Sequence, residues 1–275
     1  MSAMHAASRE ALASAEARLQ EITSGVDGDG LGKLADELFA VTTLLNKEIG
    51  LRRAIADASS DPSGRESLVR GLLAGKVGER AIDLLATVVT ARWSSPRELV
   101  DGIELLTRTV SLVRAEQDGR LDAVEDELFR LGRIIAAQPD LDRLLSDPAR
   151  ESAGKVELLR SLTAGKVEPV TQTLAEQLVA EPRGLGVVAG LEQLAGLAAK
   201  RRERSVAYVR SVIPLSEAQQ DRLSALLQRV YSRPIALHIE VDAALRGGMV
   251  IRVGDEVIDG SAAGRLEALR RELAG

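Results

Sequence analysis

The 275-residue chain sets 36 Lys and Arg against 41 Asp and Glu, and is 45% hydrophobic and 28% charged, the balance of a globular chain and not of a disordered one. It has no Cys and only two His, which excludes disulfides, thiolate nucleophiles, Cys-based zinc sites and a histidine metal cluster. The net charge of −5 speaks against nucleic acid, whose binding needs cations that displace counterions.

The chain opens on MSAMHAASREALASAEARL, charged where a signal peptide needs an apolar stretch, and no apolar run approaches the ~20 residues that span a bilayer. A soluble cytoplasmic chain with no direct membrane insertion is expected. With aromatic content of 2%, the core must be built from Leu, Val, Ile and Ala. A first helix spans about 8–22. TSGVDGDG, at 23–30, reads as a loop. Asp27 and Asp29 begin it like a calcium loop, but the positions where that motif needs oxygen ligands hold Leu31 and Leu38.

Leu31, Leu34, Leu38, Val41 and Leu45 then recur every third or fourth residue, the stripe of an amphipathic helix. A short helix comes next at 51–57, and another carries Leu68, Val69, Leu72 and Leu73 up to Ala74-Gly75-Lys76-Val77, where Gly75 permits a left-handed cap. Leu84, Leu85, Val88 and Val89 mark the next. Ser95-Pro96-Arg97-Glu98 supplies an N-cap, a first-turn proline and a third-position glutamate. Leu99, Ile103, Leu106, Val110 and Val113 form the stripe of the helix it opens.

The chain then repeats itself. DELF stands at 36–39 and again at 126–129, AGKV at 74–77 and again at 164–167, and both offsets are 90 (126 − 36 and 164 − 74). In the same register Leu51, Arg53, Asp57, Gly64, Leu68 and Arg70 match Leu141, Arg143, Asp147, Gly154, Leu158 and Arg160, which marks a tandem duplication. Leu121, Val124, Leu128, Leu131 and Ile135 renew the first stripe, and a closing helix runs through Leu185, Val188, Leu191, Leu194 and Ala198. The first helix has no copy of its own. Adding 90 to it lands on 98–112, so the helix after Ser95 is expected to close one bundle and open the next.

Beyond Arg204 the apolar period changes from 3.6 to 2. The run Lys200-Arg201-Arg202-Glu203-Arg204 reads as cations offsetting a helix C-terminal dipole rather than a phosphate site. A strand at 205–213 ends at Pro214, and Ser216-Glu217-Ala218-Gln219 is a capping box for a helix through Leu223, Leu226, Leu227 and Val230. Pro234 begins a second strand, in which Ile235, Leu237, Ile239 and Val241 alternate with polar residues, so that His238 points away from the apolar face. Met249, Ile251 and Val253 form a third strand, Gly254-Asp255 a hairpin turn, Val257 and Ile258 the return. Ser261 caps a last helix with Leu266, Leu269 and Leu273. The expected fold is mostly α: two tandem helical-bundle units (1–117 and 118–203) followed by a small α+β domain (204–275).

No enzyme motif survives inspection. Gly71-Leu72-Leu73-Ala74-Gly75-Lys76-Val77 has three residues between its glycines where a phosphate loop needs four, and Val after the Lys. Gly184-Leu185-Gly186-Val187-Val188-Ala189-Gly190 is one residue too long for a dinucleotide fingerprint and comes after no strand. Neither cofactor nor metal is expected. For Asp259, Ser261 and Arg265 structural bonding outweighs catalysis, because a serine nucleophile needs a base and neither histidine is in evident reach.

GGMVIRVGDEVIDGSAAGRLEAL closely resembles the C-terminal signature of the delta subunit of the rotary ATP synthase, whose mitochondrial relative is the oligomycin sensitivity-conferring protein. The match lies at Gly247, Gly248, Ile251, Gly254, Asp255, Val257, Asp259, Gly260, Ser261, Gly264, Arg265, Leu266 and Leu269. That family places an all-helical domain before a small α+β domain, usually with one helical block; the elongated form resembles versions in high-GC Gram-positive bacteria. The resemblance implies a non-catalytic stator of the peripheral stalk, at the cytoplasmic face of the cell membrane. It implies a helical domain that binds the N-terminal segment of the alpha subunit between its first and fifth helices, and an α+β domain that meets the b subunits. By that analogy the groove is lined by Ala11, Leu12, Ala15 and Leu19 against Ile82 and Leu85, with a rival between 98–113 and 169–180. A helical-repeat adaptor of another complex would share the duplication and lack the terminal signature.

Overall fold

The computed structural model describes residues 4–184, 186–204, 206–231, 235–242, 245, 247–254 and 256–261, and its chain divides into two compact units, 1–198 and 199–275. The first unit holds α1 (Ala6–Thr23), α2 (Gly28–Lys47), α3 (Ile49–Ala56), α4 (Pro62–Leu73), α5 (Glu79–Thr90) and α6 (Pro96–Gln117). It continues with α7 (Leu121–Ala136), α8 (Pro139–Ser146), α9 (Ser152–Thr163), α10 (Pro169–Ala180) and α11 (Val187–Arg204), whose last residues pass into the second unit. The helices α8, α9 and α10 repeat α3, α4 and α5 with both ends displaced by 90 (139 − 49, 180 − 90). Moved by the same 90, α1 begins at 96, where α6 begins.

The duplication yields two apolar cores. One gathers α1 to α6 around Leu31, Leu38, Leu84 and Ile103; the other gathers α6 to α11 around Leu128, Ile135, Leu159 and Leu191. Leu99, Val100, Ile103, Leu106, Val110 and Val113 of α6 face the first core, and Leu112 and Ala115 face the second. The helix packs against α1, α2, α3 and α5 and also against α7 and α10, the double use read from the register.

Both duplicated tetrapeptides have structural work. In DELF the leucines, Leu38 and Leu128, are fully buried. The Glu127 carboxylate accepts from the Glu168 backbone N–H at 2.8 Å and from the Thr171 hydroxyl at 2.6 Å, closing the N-terminus of α10, and Glu37 lies beside Gly78 at the start of α5. In AGKV, Gly75 and Gly165 take φ of +70° and +68°, the left-handed turn that ends α4 and α9.

The loop expected at 23–30 is shorter, because α2 already starts at Gly28. Asp27 caps it by accepting from the Gly30 N–H at 2.9 Å. Glycine is a poor helix former, yet a Cβ on Gly32 would lie 2.7 Å from Arg114 Nη1, so the guanidinium occupies the space a side chain would take.

The copies keep one cross-helix ion pair and move its partner. Arg70 ties α4 to α5 through Asp83 at 3.0 Å; Arg160, its match, ties α9 to α10 through Glu176 at 2.6 Å. Residue 83 displaced by 90 is Thr173, and the carboxylate sits three residues further on (176 − 173), on the same helix face. The Arg160 hydrogen bonds hold the Glu176 carboxyl below its ordinary range, against a smaller opposing effect of burial. A depressed folded pKa means stability that is present above about pH 4.3, the unfolded value, and lost as pH falls through the folded one. Glu176→Gln is therefore expected to narrow its stability deficit against the parent chain between pH 7 and pH 3, read by urea unfolding at each pH.

The two helical blocks are also joined by charge. Arg183, in the turn after α10, reaches Asp101 at 2.5 Å and Glu104 at 2.7 Å on α6, and Glu104 pairs with Arg108. Burial lowers the pKa of Arg108, against the opposing pull of Glu104. Arg183 adopts φ of +48°, a left-handed backbone that costs an L-residue roughly 1–2 kcal/mol. Arg183→Ala keeps that backbone, removes both ion pairs and is expected to cost about 2 kcal/mol, because the partners are only partly solvated. Arg183→Gly loses the same ion pairs and relieves the backbone, so its denaturation midpoint should fall less.

The second unit contains β1 (Val206–Ser211), α12 (Glu217–Tyr231), β2 (Ala236–Val241), β3 (Met249–Val253) and β4 (Glu256–Asp259). The sheet order is β2-β1-β3-β4, with β1 parallel to β2 across α12 and the other pairs antiparallel. Ser216 and Gln219 cap α12 reciprocally, at 2.9 and 3.4 Å. Ala207, Val209, Ile251 and Val253 pack with Leu227 of α12 on one face. The helix expected after Ser261 lies outside the described residues.

Candidate partner-binding surfaces

The helices α1 and α5 pack side by side. Ala11, Ala15, Leu19, Ile82 and Leu85 are buried between them and their neighbours, and Leu12 is half-buried. Small residues on α1 let the helices approach closely, so these side chains form the floor of the seam rather than an open trough. Its rim is polar: Arg18 on α1 comes within 3.9 Å of Asp83 on α5 and pairs with Glu21 at 2.8 Å.

The duplication supplies a second seam, between α6 and α10. Arg18 matches Arg108 (108 − 18 = 90), but the Arg18 side chain is 41% exposed and that of Arg108 only 10%. Phe39 and Thr42 of α2 line the same narrow cavity as Arg108, Leu174 and Leu178, so the first block closes over the second seam. Neither rim arginine stands out in the sequence, although both lie in the ninety-residue register that exposes the repeat.

In the α+β unit the terminal signature is a backbone device. Gly247 and Gly248 take φ of +124° and +79°, and a Cβ on Gly248 would lie 2.3 Å from the Gly260 carbonyl oxygen. Gly260 donates its N–H to the Met249 carbonyl at 3.0 Å, and Gly254 turns the β3–β4 hairpin at φ of +59°. Asp259 accepts from the Ser261 N–H at 2.9 Å; the Ser261 hydroxyl and this N–H hold its carboxyl below the ordinary range. Ile251 is buried, as is Ser261. Asp255, Gly264, Arg265 and Leu266 lie outside the described residues.

Among the described residues no group of three or more His, Cys, Asp or Glu is placed to hold a metal ion, and no helix is long and apolar enough to cross a membrane. The architecture defines a class: a tandem helical-bundle protein with seams along packed helices and a glycine-locked α+β unit. The family model of the ATP synthase delta (OSCP) subunit matches residues 111–273. The chain is also 46% identical to the ATP synthase subunit delta of Streptomyces griseus, across 99% of this chain and all of the relative. It is 47% identical to that of Streptomyces coelicolor, across the whole of both chains. Against that of Nocardia farcinica it is 47% identical, across 98% of this chain and all of the relative. The chain belongs to the ATP synthase delta (OSCP) subunit family.

Proposed function

We propose that this chain is a non-catalytic stator subunit of the peripheral stalk of a rotary proton-translocating ATP synthase, acting at the cytoplasmic face of the cell membrane. It links the alpha-subunit N-terminal segment of the catalytic head to the membrane-anchored b subunits and resists rotor torque. The observation that carries this reading is identity near one half, end to end, with chains named ATP synthase subunit delta. The bundle units 1–117 and 118–203 supply the head contact, and the α+β domain, 204–275, supplies the stalk contact.

The alpha-subunit segment docks along the α1–α5 seam, over Ala11, Ala15, Leu19, Ile82 and Leu85 and against Leu12. Helix-in-groove recognition needs an apolar floor with accessible rims, and exposure of Arg18 supports this seam over its covered copy. A second reading places the segment between α6 and α10, since the family model aligns from residue 111 and takes in the second block.

A synthetic alpha-subunit N-terminal peptide, titrated against the full chain by calorimetry, separates the two. Leu12→Glu is expected to weaken binding at least tenfold and Thr173→Arg to leave it unchanged. The opposite pattern assigns the segment to the second block. No binding by the unaltered chain removes the head-linking reading.

A further inference from the structure

The helix α4 carries a buried cation that its surroundings do not satisfy. Arg65 is 5% exposed, and its Nη2 donates to the Thr90 carbonyl at 3.3 Å. Its Nε and Nη1 are shut off from solvent and have no hydrogen-bond partner among the described residues. Asp57, a carboxylate that feels its charge, is spent on the Ser59 and Ser60 hydroxyls at 2.7 and 3.0 Å. A buried donor without an acceptor costs the folded state the hydration it has given up. The second block avoids this. The match of Arg65 there is Lys155 (155 − 65 = 90), 3% exposed, whose ammonium donates to the Asp147 carbonyl at 3.1 Å.

Two further features weaken α4. Gly64 and Gly71 stand in a helix of twelve residues, and a Cβ on either would meet nothing within 4 Å. Gly32 makes room for Arg114, but these two make room for nothing, so only their low helix propensity remains. The helix also borders a recess lined by apolar side chains alone, among them Val69, Leu72 and Leu73 of α4, Leu45 of α2, Ile55 of α3 and Leu85 of α5. Side chains beside a gap forfeit contacts on that side. On its outer side α4 is fastened to α5 by Arg70, through Asp83 at 3.0 Å, and exposed pairs of this kind contribute little. The same Asp83 faces Arg18 across the α1–α5 seam at 3.9 Å.

We infer that α4 is a lid, which opens by local unfolding ahead of the block around it, hydrates the Arg65 guanidinium and bares the apolar recess. Opening draws Arg70 away from Asp83 and leaves that carboxylate to Arg18, so the state of the lid is passed to the rim of the α1–α5 seam. The duplication supplies the means of closing it: a lysine at 65 would stand where Lys155 stands, with the Asp57 carbonyl in the place of the Asp147 carbonyl.

The chain has no Cys, so single cysteines report opening without background. Val69→Cys in α4 and Val88→Cys in α5 replace side chains buried in the same core, and each full-length variant is alkylated with iodoacetamide at urea concentrations below the unfolding transition. Val69→Cys is expected to react at least about tenfold faster and with a shallower urea dependence, because local opening exposes less surface than global unfolding. In the Val69→Cys background, Gly71→Ala should slow the reaction about fivefold and Arg65→Lys at least about threefold. Amide exchange in the unaltered chain gives the same readout with no substitution, α4 exchanging ahead of α5. Equal rates and urea slopes for the two cysteines, or α4 and α5 amides that exchange together, overturn the lid. A reaction that Arg65→Lys leaves unchanged or speeds makes the arginine no source of opening and overturns the inference as well.

Discussion

Gly248→Ala is expected to unlock the α+β unit. The left-handed backbone at φ of +79° costs a side-chain-bearing residue roughly 1–2 kcal/mol. The added methyl also meets backbone, not a side chain that can swing aside: the Gly260 carbonyl oxygen at 2.3 Å and the Ser261 Cα at 3.0 Å. Such overpacking typically adds 1–3 kcal/mol, for a total of about 2–5 kcal/mol. The change should appear as a loss of roughly one and a half to three and a half decades in exchange protection of β1 and β3 amides. Trp93, the only tryptophan, stands in the helical unit, so its fluorescence transition is expected to keep its midpoint. A shift of that midpoint equal to the sheet's loss would mean that the two units unfold as one.

Trp93→Ala is expected to cost the first helical block roughly 3–5 kcal/mol, the range for removing a large buried ring. The indole is 3% exposed and donates its N–H to the Val88 carbonyl at 2.7 Å, fastening the end of α5 to the turn before α6. Gly102 makes room for it, since a Cβ there would lie 2.3 Å from the ring. An alanine in a helix gains about 1 kcal/mol over glycine, so the sign of Gly102→Ala depends on the ring. It should destabilise the parent chain and stabilise a Trp93→Ala background. Urea unfolding of the double-mutant cycle, monitored by circular dichroism, measures that coupling; additive effects would remove the explanation for the glycine.

The repeat is the most legible feature of the sequence because it is written twice. Helix stripes at Leu31–Leu45 and Leu121–Ile135, the glycine caps after α4 and α9, and the serine caps before α6 and α12 are local patterns, and each has a local cause. The start of α2 reads wrongly as loop because Gly28, Gly30 and Gly32 look like loop residues; Arg114, more than eighty positions away, fills the space beside Gly32. The Arg183 cluster is invisible in the sequence for the same reason. Residues such as Asp101 and Arg183 acquire meaning only when distant segments meet, and no spacing announces it. The candidate groove residues are legible as an apolar stripe, but a stripe does not separate a seam's floor from its rim. The glycines of the tail are recognisable by resemblance, and the carbonyl facing Gly248 gives the physical reason they stand together.

A helix owned by two bundles leaves no clean place to cut. Excising either block would strip one side of α6 and bare Val100, Ile103 and Leu106, or Leu112 and Ala115, to water. A gene that once acquired the second copy could not lose it again by simple deletion without a penalty in solubility. A pull applied across the two blocks must also pass along one unbroken backbone, where flexible linkers elsewhere in tandem proteins would stretch first.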